Sequence, residues 1–337
     1  MKLVTQEAMS AQPAARWGRA EGMDDRLIEQ LRAIAPVKTG EPLSRHTTFG
    51  IGGPADVFVT VRNAAELARA VITAREFAAP VFILGAGSNI LAGDRGIRGV
   101  VIDNQAKAIE GPLSPNPSPT RGVGSAYVVR AESGVPFASL ARQLARDGYG
   151  GIEWAAGIPG TLGGAVVYNA GAYDGCLADV LRSVTMLDGN NATKTAPAAD
   201  LGLAYRTSSI LRGECPGCVV LSVEIAVTRG DGAALMRRGA DLDEQRLGAQ
   251  PRGRNSGSTF KNPPGDHAWR LIDAVGLRGY RIGDARISEK HSNFIENLGE
   301  ARAADVAALM REAQRRVSEQ FGIDLQNEVE LVGEGFE

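Results

Sequence analysis

A glycine-rich stretch, GIPGTLGGAVVYNAGAY over residues 157–173, is the part of the chain best suited to contacting a ligand. The pair Gly163-Gly164 weakens helices and strands alike, so its presence needs a reason. A backbone without Cβ atoms can press against a flat or anionic ligand and direct N–H groups at phosphate oxygens. A run of tight turns would also explain the glycines. The length of the stretch and its lack of charged residues favour the ligand interpretation.

A second glycine turn, Gly85-Ala86-Gly87-Ser88-Asn89, follows the apolar residues 81–84. The dinucleotide-binding fingerprint would require a third glycine where Ile90 stands, followed by a helix. The sequence after this turn instead predicts a loop and another strand. Side-chain donors from Ser88 and Asn89 could hold a pyrophosphate without a helix. An ordinary hairpin turn is the alternative.

Cys215 and Cys218 form a CPGC pair, a spacing found in redox-active dithiols and in half of a zinc site. A zinc site needs four ligands, and the other candidates are scattered: Cys176, His46, His267 and His291. We therefore expect no metal, and a turn at Pro216-Gly217 between two strands. Three cysteines argue against a disulfide framework and predict a reducing, cytoplasmic location. The sequence alone does not decide whether Cys215 and Cys218 pair.

Composition excludes several classes of function. A chain of 337 residues with 44% apolar and 23% charged residues fits a globular protein of two or three domains. A net charge of −2 supplies no basic excess for neutralising phosphates, so nucleic-acid binding is not expected. No apolar run approaches the roughly 20 residues of a membrane helix, and residues 1–22 lack the apolar core of a secretory signal. No obligate protein partner is evident.

Hydrophobic periodicity predicts the elements that position the glycine turns. Helices are expected over residues 23–35, 64–78 after the N-cap Asn63, 136–148, 231–250 and 301–322. Strands are expected over 81–84, 126–132 and 218–230, and a hairpin turning at 188–191. Alternating apolar residues predict a strand over 323–333, and residues 111–124 predict a surface loop. Adjacent strands favour an α+β class over a doubly wound sheet.

Seven segments in a fixed order carry a family resemblance: TTFGIGGPAD, LGAGSNIL, AGIPGTLGGAVVYNAGAYDG, AYRTSS, NSGSTFKNP, SEKHSNFIEN and LQNEVELVG. Each segment is modest alone, but the ordered set resembles the UDP-N-acetylenolpyruvoylglucosamine reductase family over residues 24–334. The SGSTFKNP form looks like the shorter, type II subclass. The resemblance implies an α+β fold: a vanillyl-alcohol-oxidase/PCMH-type FAD-binding fold in two lobes, plus a third α+β substrate-binding lobe.

The resemblance also implies a division of the chain. Residues 1–23 would be a flexible N-terminal tail, 24–105 the first FAD-binding lobe and 106–229 the second. Residues 230–320 would form the substrate-binding lobe, and 321–337 a C-terminal strand returning to the active site. The implied reaction is reduction of UDP-N-acetylenolpyruvoylglucosamine to UDP-N-acetylmuramate in peptidoglycan precursor synthesis. Hydride would pass from NADPH to non-covalently bound FAD, and then to the enolpyruvyl β-carbon.

Three residues match the family's catalytic positions. Arg206 in AYRTSS would hold the substrate carboxylate with its planar fork, whereas its ordinary role would be a surface salt bridge. Ser258 in SGSTFKNP would protonate the α-carbon; a loop serine more commonly bonds its own backbone. Glu328 in LQNEVELVG would help to stabilise the enolate, although alternation alone puts it on a solvated strand face.

Further positions are implied as binding residues. Lys261, Asn262 and Tyr205 would contact the UDP-sugar. Tyr205 and Ser208 are weaker candidates, for holding either Arg206 or the substrate, while His291 and Asn293 receive no role. The flavin would lie along the glycine turns, at Gly52, Gly53, Gly85, Gly87, Ser88, Asn89, Ile158, Pro159, Gly160, Thr161, Gly163, Gly164, Ala165 and Asn169. One alternative is a related FAD-dependent alcohol or hydroxy-acid oxidase, often with covalent flavin, for which His46 is the nearest candidate. A non-enzymatic flavin- or nucleotide-sugar-binding protein is the other.

Overall fold

The structure, a computed structural model, describes residues 24–116 and 126–337. The expected N-terminal tail and residues 117–124 of the expected loop therefore lie outside the described residues. The α-helices are α1 (Asp25–Arg32), α2 (Ala64–Glu76), α3 (Phe137–Arg146), α4 (Leu162–Tyr168), α5 (Leu177–Val180), α6 (Gly232–Ala249), α7 (Ala268–Ala274) and α8 (Ala303–Phe321).

The strands are short except for β13. They are β1 (Val37–Pro42), β2 (Pro54–Val61), β3 (Val81–Leu84), β4 (Ile90–Ala92), β5 (Ile97–Asn104), β6 (Ile109–Asn116), β7 (Ala126–Glu132), β8 (Tyr149–Gly150), β9 (Gly171–Ala172), β10 (Gly175–Cys176), β11 (Leu181–Leu187), β12 (Thr193–Pro197), β13 (Val219–Arg229), β14 (Arg281–Ile282), β15 (Ala285–Ile287), β16 (Ile295–Asn297) and β17 (Glu330–Val332).

The described chain divides into two compact units. The first contains residues 24–59, 73–102 and 249–337, and the second contains residues 60–72 and 103–248 without the gap. Both units mix helices with mostly antiparallel strands, so the expected α+β class is confirmed.

The first unit is built from three small sheets. Strands β1, β2, β5 and β3 form a four-stranded sheet in that order, and β14, β15 and β16 form a three-stranded one. The third sheet pairs β17 in parallel with β4, with Leu331 opposite Leu91. Buried residues such as Phe49, Phe260 and Leu309 form one apolar core, to which Leu91 belongs. The last strand is therefore an integral part of this unit.

The second unit centres on one antiparallel sheet in the order β12-β11-β13-β7-β6, with β8 paired to the end of β13. Helix α3 packs Phe137 and Leu140 into its core, together with Leu162 and Val166 from α4. The glycine-rich stretch is thus fixed to this unit by its apolar residues.

Most predicted elements are confirmed. Asn63 caps α2, because its Oδ1 accepts from the amide of Glu66 at 2.8 Å. The glycine turn after β3 leads into β4 and β5 rather than into a helix, as expected. The hairpin of β11 and β12 is also present, and α8 buries Val306, Leu309, Met310 and Val317.

Two predictions were wrong in detail, and one helix was not predicted. Residues 111–116, expected as part of a loop, belong to β6. This strand is the edge of its sheet, where prolines are tolerated because their missing N–H groups face no partner strand. The expected strand over 323–333 is regular only at β17. The glycine-rich stretch contains the helix α4, with Gly163 and Gly164 in its first turn, because apolar neighbours bury that helix.

Candidate active site

The glycine turn at 85–89 and the C-terminal segment are joined in the first unit through Asn89. The Asn89 side-chain amide donates to the carbonyl oxygen of Glu328 at 3.0 Å. The Asn89 carbonyl in turn accepts from the amide of Glu330 at 3.0 Å. These two bonds set the backbone at Glu328 directly beside the end of the glycine turn.

The segment carrying Ser258 contacts the same C-terminal residues. The carbonyl of Thr259 accepts from the amide of Glu328 at 2.9 Å, and the amide of Lys261 donates to the carbonyl of Gln326 at 2.9 Å. The structure therefore brings the backbones of two of the three predicted catalytic residues close together in space. Ser258 immediately precedes Thr259, which is hydrogen-bonded to Glu328.

Two serines in this segment differ in what their hydroxyl groups do. Ser256 is buried, and its Oγ donates to the carbonyl of Ile90 at 3.0 Å. Ser258 is half-buried, and its hydroxyl makes no hydrogen bond with the residues that the structure describes. The ordinary role of a loop serine, bonding to its own backbone, is therefore not the role of Ser258 here. Its hydroxyl is available to a ligand.

Asn293 holds this segment, a role that the sequence did not suggest. Its side-chain Oδ1 accepts from the amide of Phe260 at 2.9 Å, and its Nδ2 donates to the carbonyl of Phe260 at 2.8 Å. Its own carbonyl accepts from the amide of Thr259 at 2.7 Å. Since Asn293 is buried, it fixes the backbone between Ser258 and Lys261 from one side while the C-terminal segment does so from the other. An asparagine two residues after a histidine carries no signal from which this could be predicted.

The two predicted substrate contacts after Ser258 differ. The Lys261 amine forms no ion pair or hydrogen bond with the described residues, so its charge is available to an anion. Asn262 instead accepts at its Oδ1 from the amide of Ala268 at 3.1 Å. This bond gives a partner to one of the backbone N–H groups left unpaired in the first turn of α7.

Glycines near the first turn are required by the protein itself. A Cβ at Gly87, where φ is +60°, would overlap the carbonyl oxygen of His46 and lie 2.8 Å from the Cα of Thr47. A Cβ at Gly53 would overlap the carbonyl oxygen of Asp94, and one at Gly52 would lie 2.8 Å from the side chain of Ala92. These glycines allow close backbone packing around the turn. Of the other predicted flavin contacts there, Gly85 and Ser88 are half-buried.

In the second unit, Arg206 lies at the tip of a tight turn. The backbone groups of Ala204 and Thr207 bond each other at 3.2 Å in both directions, and Arg206 has a left-handed φ of +52°. Its Nη2 donates to the carbonyl of Gly171 at 2.9 Å, and its guanidinium lies 5.5 Å from the ring centroid of Tyr205. The turn thus directs Arg206 at the glycine-rich stretch, while the Tyr205 side chain is 58% exposed.

Asn169 and Ser208 fasten this turn to the glycine-rich stretch. Asn169 ends α4 in a left-handed conformation, and its Nδ2 donates to the carbonyl of Ala204 at 3.0 Å. Ser208 is buried, and its Oγ donates to the carbonyl of Val167 at 2.6 Å. Both residues therefore position Arg206. The expected place of Asn169 near the flavin stays a prediction, and holding Arg206 is one of the two roles expected for Ser208.

The two central glycines of α4 are not equivalent. A Cβ at Gly163 would lie 2.9 Å from the Cβ of Ser133, so this glycine is required by packing within the unit. A Cβ at Gly164 would have only Thr161 Oγ1 nearby, at 3.7 Å. The backbone at Gly164 is therefore the more accessible to a flat ligand.

The rest of this stretch is a mixture of core and surface. Ala165 is buried and Ile158 packs against the core, so both support the helix. Pro159 is exposed, Gly160 has a φ of +124°, and Thr161 accepts from the amide of Gly164 at 3.4 Å.

Perturbed titrating groups are few near these segments. Burial lowers the pKa of His291, whose ring packs edge-on against Phe294 with centroids 4.9 Å apart. Burial likewise raises the pKa of Tyr173, at the end of the glycine-rich stretch. His46 contacts Glu41 at 2.9 Å, and that hydrogen bond lowers the pKa of the Glu41 carboxyl.

Cys215 and Cys218 are joined by a disulfide in the turn that the sequence predicts. The turn leads into β13, but no strand directly precedes it. No group of three or more His, Cys, Asp or Glu side chains suited to a metal occurs among the described residues. None of the helices described is long and apolar enough to span a membrane.

Comparison with known proteins assigns a class to this fold and site. Residues 55–196 match the FAD binding domain family, and residues 249–332 match the family described as UDP-N-acetylenolpyruvoylglucosamine reductase, C-terminal domain. A FAD-binding fold is thereby confirmed, and the chain is an FAD-dependent oxidoreductase.

The similar proteins narrow that class. UDP-N-acetylenolpyruvoylglucosamine reductase 2 of Symbiobacterium thermophilum is 41% identical over 92% of this chain and 97% of its own length. The Moorella thermoacetica reductase is 40% identical over 89% and 94%. The solved reductase of Thermus caldophilus aligns with a TM-score of 0.71 at 35% identity, covering 88% of this chain and 99% of that one. The chain belongs to the UDP-N-acetylenolpyruvoylglucosamine reductase family.

Proposed function

We propose that this chain reduces the enolpyruvyl group of UDP-N-acetylenolpyruvoylglucosamine to give UDP-N-acetylmuramate, with NADPH as the electron source. Family membership over most of the chain supports the substrate class and the place in cell-wall precursor synthesis. We place the protein in the cytoplasm, because its proposed substrate is a nucleotide-activated sugar that is used there. When bound, FAD would supply the hydride-transfer chemistry between NADPH and the enolpyruvyl β-carbon, which no side chain can supply.

The residues present fit a flavin nucleotide. The accessible backbone at Gly164 suits close approach of a flat or anionic group, since a Cβ there would meet nothing nearer than 3.7 Å. Around the first turn, Gly53 and Gly87 allow the backbone to fold tightly on itself. We assign non-covalent flavin binding to these two glycine segments.

Arg206 is the residue we assign to the substrate carboxylate. Hydride addition leaves negative charge on the carbon beside that carboxylate, and a fixed positive charge lowers the energy of this state. The guanidinium is held by its bond to Gly171 and by the left-handed turn that Asn169 and Ser208 fasten. A pre-positioned fork needs little reorganisation when charge develops.

Ser258 is the residue we assign to proton donation. A hydroxyl is a weak acid, but the carbanion character at the α-carbon makes that carbon a strong base, so correct placement is enough. Support comes from the contrast with Ser256, whose hydroxyl is committed to Ile90, whereas Ser258 bonds no described residue. The single observation that carries the assignment is this available hydroxyl in a backbone fixed on both sides.

Glu328 is the residue we assign to enolate stabilisation together with Ser258. It is half-buried, and its backbone is held by Asn89 on one side and Thr259 on the other. Lys261, with an amine that pairs with no described residue, is assigned to the diphosphate, and Tyr205 is a candidate contact for the sugar nucleotide.

Anaerobic half-reactions test this function. The purified protein, reduced with one equivalent of NADPH, is mixed with UDP-N-acetylenolpyruvoylglucosamine, with UDP-N-acetylglucosamine or with buffer, and flavin absorbance is followed. We expect rapid reoxidation with the enolpyruvyl substrate alone, and release of FAD on denaturation. Failure to bind FAD, or reoxidation by alcohol-derived carbonyl compounds instead, would reject the proposal and favour the oxidase alternative.

A further inference from the structure

The CPGC loop carries chemistry that the reductase function does not use. The two cysteines form a disulfide with their Cα atoms 5.5 Å apart. The amide of Cys218 donates to the carbonyl of Cys215 at 3.1 Å, and Gly217 has a φ of +71°. Pro216 and Gly217 therefore form a tight turn that holds the two cysteine residues within bonding reach.

The position of this disulfide does not suit a structural cross-link. A disulfide stabilises a fold largely by restricting the unfolded chain, and the effect grows with the length of the loop that it closes. Here only Pro216 and Gly217 lie between the cysteines, so little freedom is removed. The Cys-X-X-Cys spacing is instead the arrangement of dithiols that open and close reversibly.

The bond is accessible to a reductant. Cys215 and Cys218 are half-buried, and Pro216 and Gly217 between them are exposed. The third cysteine, Cys176, provides a contrast: burial raises the pKa of its thiol, and Asp179 acts in the same direction. Cys176 therefore stays protonated and is a poor nucleophile.

The loop is continuous with the turns that follow Arg206. The carbonyl of Ser208 accepts from the amide of Arg212 at 3.0 Å, and the carbonyl of Ser209 accepts from the amide of Glu214 at 2.9 Å. Glu214 adjoins Cys215 in the chain. A change of covalent state at Cys215 thus acts on one end of a hydrogen-bonded segment whose other end is Ser208.

We propose that Cys215 and Cys218 form a reversible thiol–disulfide exchange site for a dithiol reductant, and that opening the disulfide loosens residues 208–218. A thiolate of the dithiol attacks one cysteine sulfur, breaking the Cys215–Cys218 bond and forming a mixed disulfide. The second thiol of the reductant then attacks the reductant's first sulfur atom in the mixed disulfide and releases the cysteine as a thiol. Two electrons and two protons pass to the pair, and the dithiol becomes a cyclic disulfide.

The test is a redox titration of the full-length folded protein in mixtures of reduced and oxidised dithiothreitol. Thiols are trapped with N-ethylmaleimide and the cysteine peptides are quantified by mass spectrometry. We expect the ratio of linked to open pair to change about tenfold for each tenfold change in the ratio of oxidised to reduced reagent, as for any two-electron exchange. A pair that stays linked in excess reduced reagent, opens only when circular dichroism shows unfolding, or never links would overturn the proposal.

Variants and hydrogen exchange complete the test without using enzyme activity. Cys215→Ser and Cys218→Ser should each abolish the linked peptide, while Cys176→Ser should titrate like the unchanged protein. Peptides spanning 208–218 should exchange amide hydrogens faster in the open form than in the linked form, with β13 unchanged as the reference. Equal exchange in the two forms would overturn the proposed loosening.

Discussion

The side-chain amide of Asn89 donates to the main-chain carbonyl of Glu328 at 3.0 Å, although the residues are 239 positions apart in the chain. The Asn89 side chain thus holds the C-terminal segment, and the donation to a phosphate expected of it stays a prediction. The backbone of Glu328 is fixed by this bond and by its bond to Thr259, so the placement of its carboxylate depends on both.

Replacing Asn89 by alanine should slow reoxidation of the reduced flavin by the enolpyruvyl substrate, because Glu328 loses one of its two backbone supports. We expect a stability loss of about 1 kcal/mol as well, from the lost hydrogen bond. Asn63→Ala is the matched control: it removes the cap of α2, at a similar cost of about 1 kcal/mol. Stopped-flow reoxidation should be slowed in the first variant only, and equal slowing in both would refute the positioning role.

Ser258→Ala should slow substrate-dependent reoxidation by about 10²- to 10⁴-fold, as expected for loss of a proton donor. Flavin reduction by NADPH and the thermal midpoint should stay unchanged, because the hydroxyl bonds no described residue. Ser256→Ala should show the reverse pattern: about 1–3 kcal/mol of stability is lost when Ile90 loses its bond, with both half-reactions retained once folded. Slowing of both half-reactions alike by Ser258→Ala would show that Ser258 is not the proton donor.

Arg206→Lys should reduce the rate of the substrate half-reaction on the order of 10²-fold. The ammonium group of lysine is a point charge and does not reproduce the two parallel hydrogen bonds that a planar guanidinium donates to a carboxylate. Arg212→Lys is the control from the same loop, since Arg212 is exposed and pairs with Glu214. Single-turnover kinetics at saturating substrate separate the effect on chemistry from the effect on binding. An Arg206→Lys enzyme with full activity would exclude a two-point contact.

Gly164→Ala and Gly163→Ala should separate ligand contact from folding. A Cβ at Gly164 meets no close atom, so the fold should gain about 0.5–1 kcal/mol from better helix propensity while FAD binds more weakly. A Cβ at Gly163 would crowd Ser133, so that variant should lose stability. Apoprotein unfolding and FAD titration measure the two effects. FAD affinity unchanged in Gly164→Ala would place the flavin elsewhere.

Acid should weaken the fold through Glu312, a half-buried residue of α8. Two hydrogen bonds lower the pKa of the Glu312 carboxyl from 4.5 to about 2: the one from Arg315 has the largest effect and the one from Arg316 the next largest. A lowered pKa means that this stabilisation is complete above pH 4.5 and is lost as the pH falls towards 2. The difference in free energy of unfolding between the protein and Glu312→Gln should therefore be constant near neutrality and shrink in acid. A difference independent of pH would contradict this assignment.

Local patterns predicted the regular elements well. The cap at Asn63, the buried stripe of α8 and the absence of a helix after the 85–89 turn all follow from propensity and periodicity, which act over a few residues. The helix α4 was missed because glycine disfavours helices locally, and burial of Leu162 and Val166 overrides that preference.

Less of the candidate site than of the fold could be predicted from the sequence. The family resemblance identified Ser258, Glu328 and Arg206, and their roles stay predictions. The supporting bonds were missed, because Asn89, Asn169 and Asn293 bond to backbone groups far away in the chain. A side chain that binds a main-chain carbonyl leaves no complementary residue type in the sequence, so neither spacing nor composition reveals its partner.

The parallel pairing of β17 with β4 has a consequence for biosynthesis. Strand β4 leaves the ribosome some 240 residues before its partner, so the sheet of β4 and β17 cannot form until translation has passed Val332. The second unit draws most of its chain from residues 103–248 and has its own apolar core, so it is able to collapse earlier. During that interval, nascent β4 exposes unpaired edge groups, and we expect chaperones to engage the chain there.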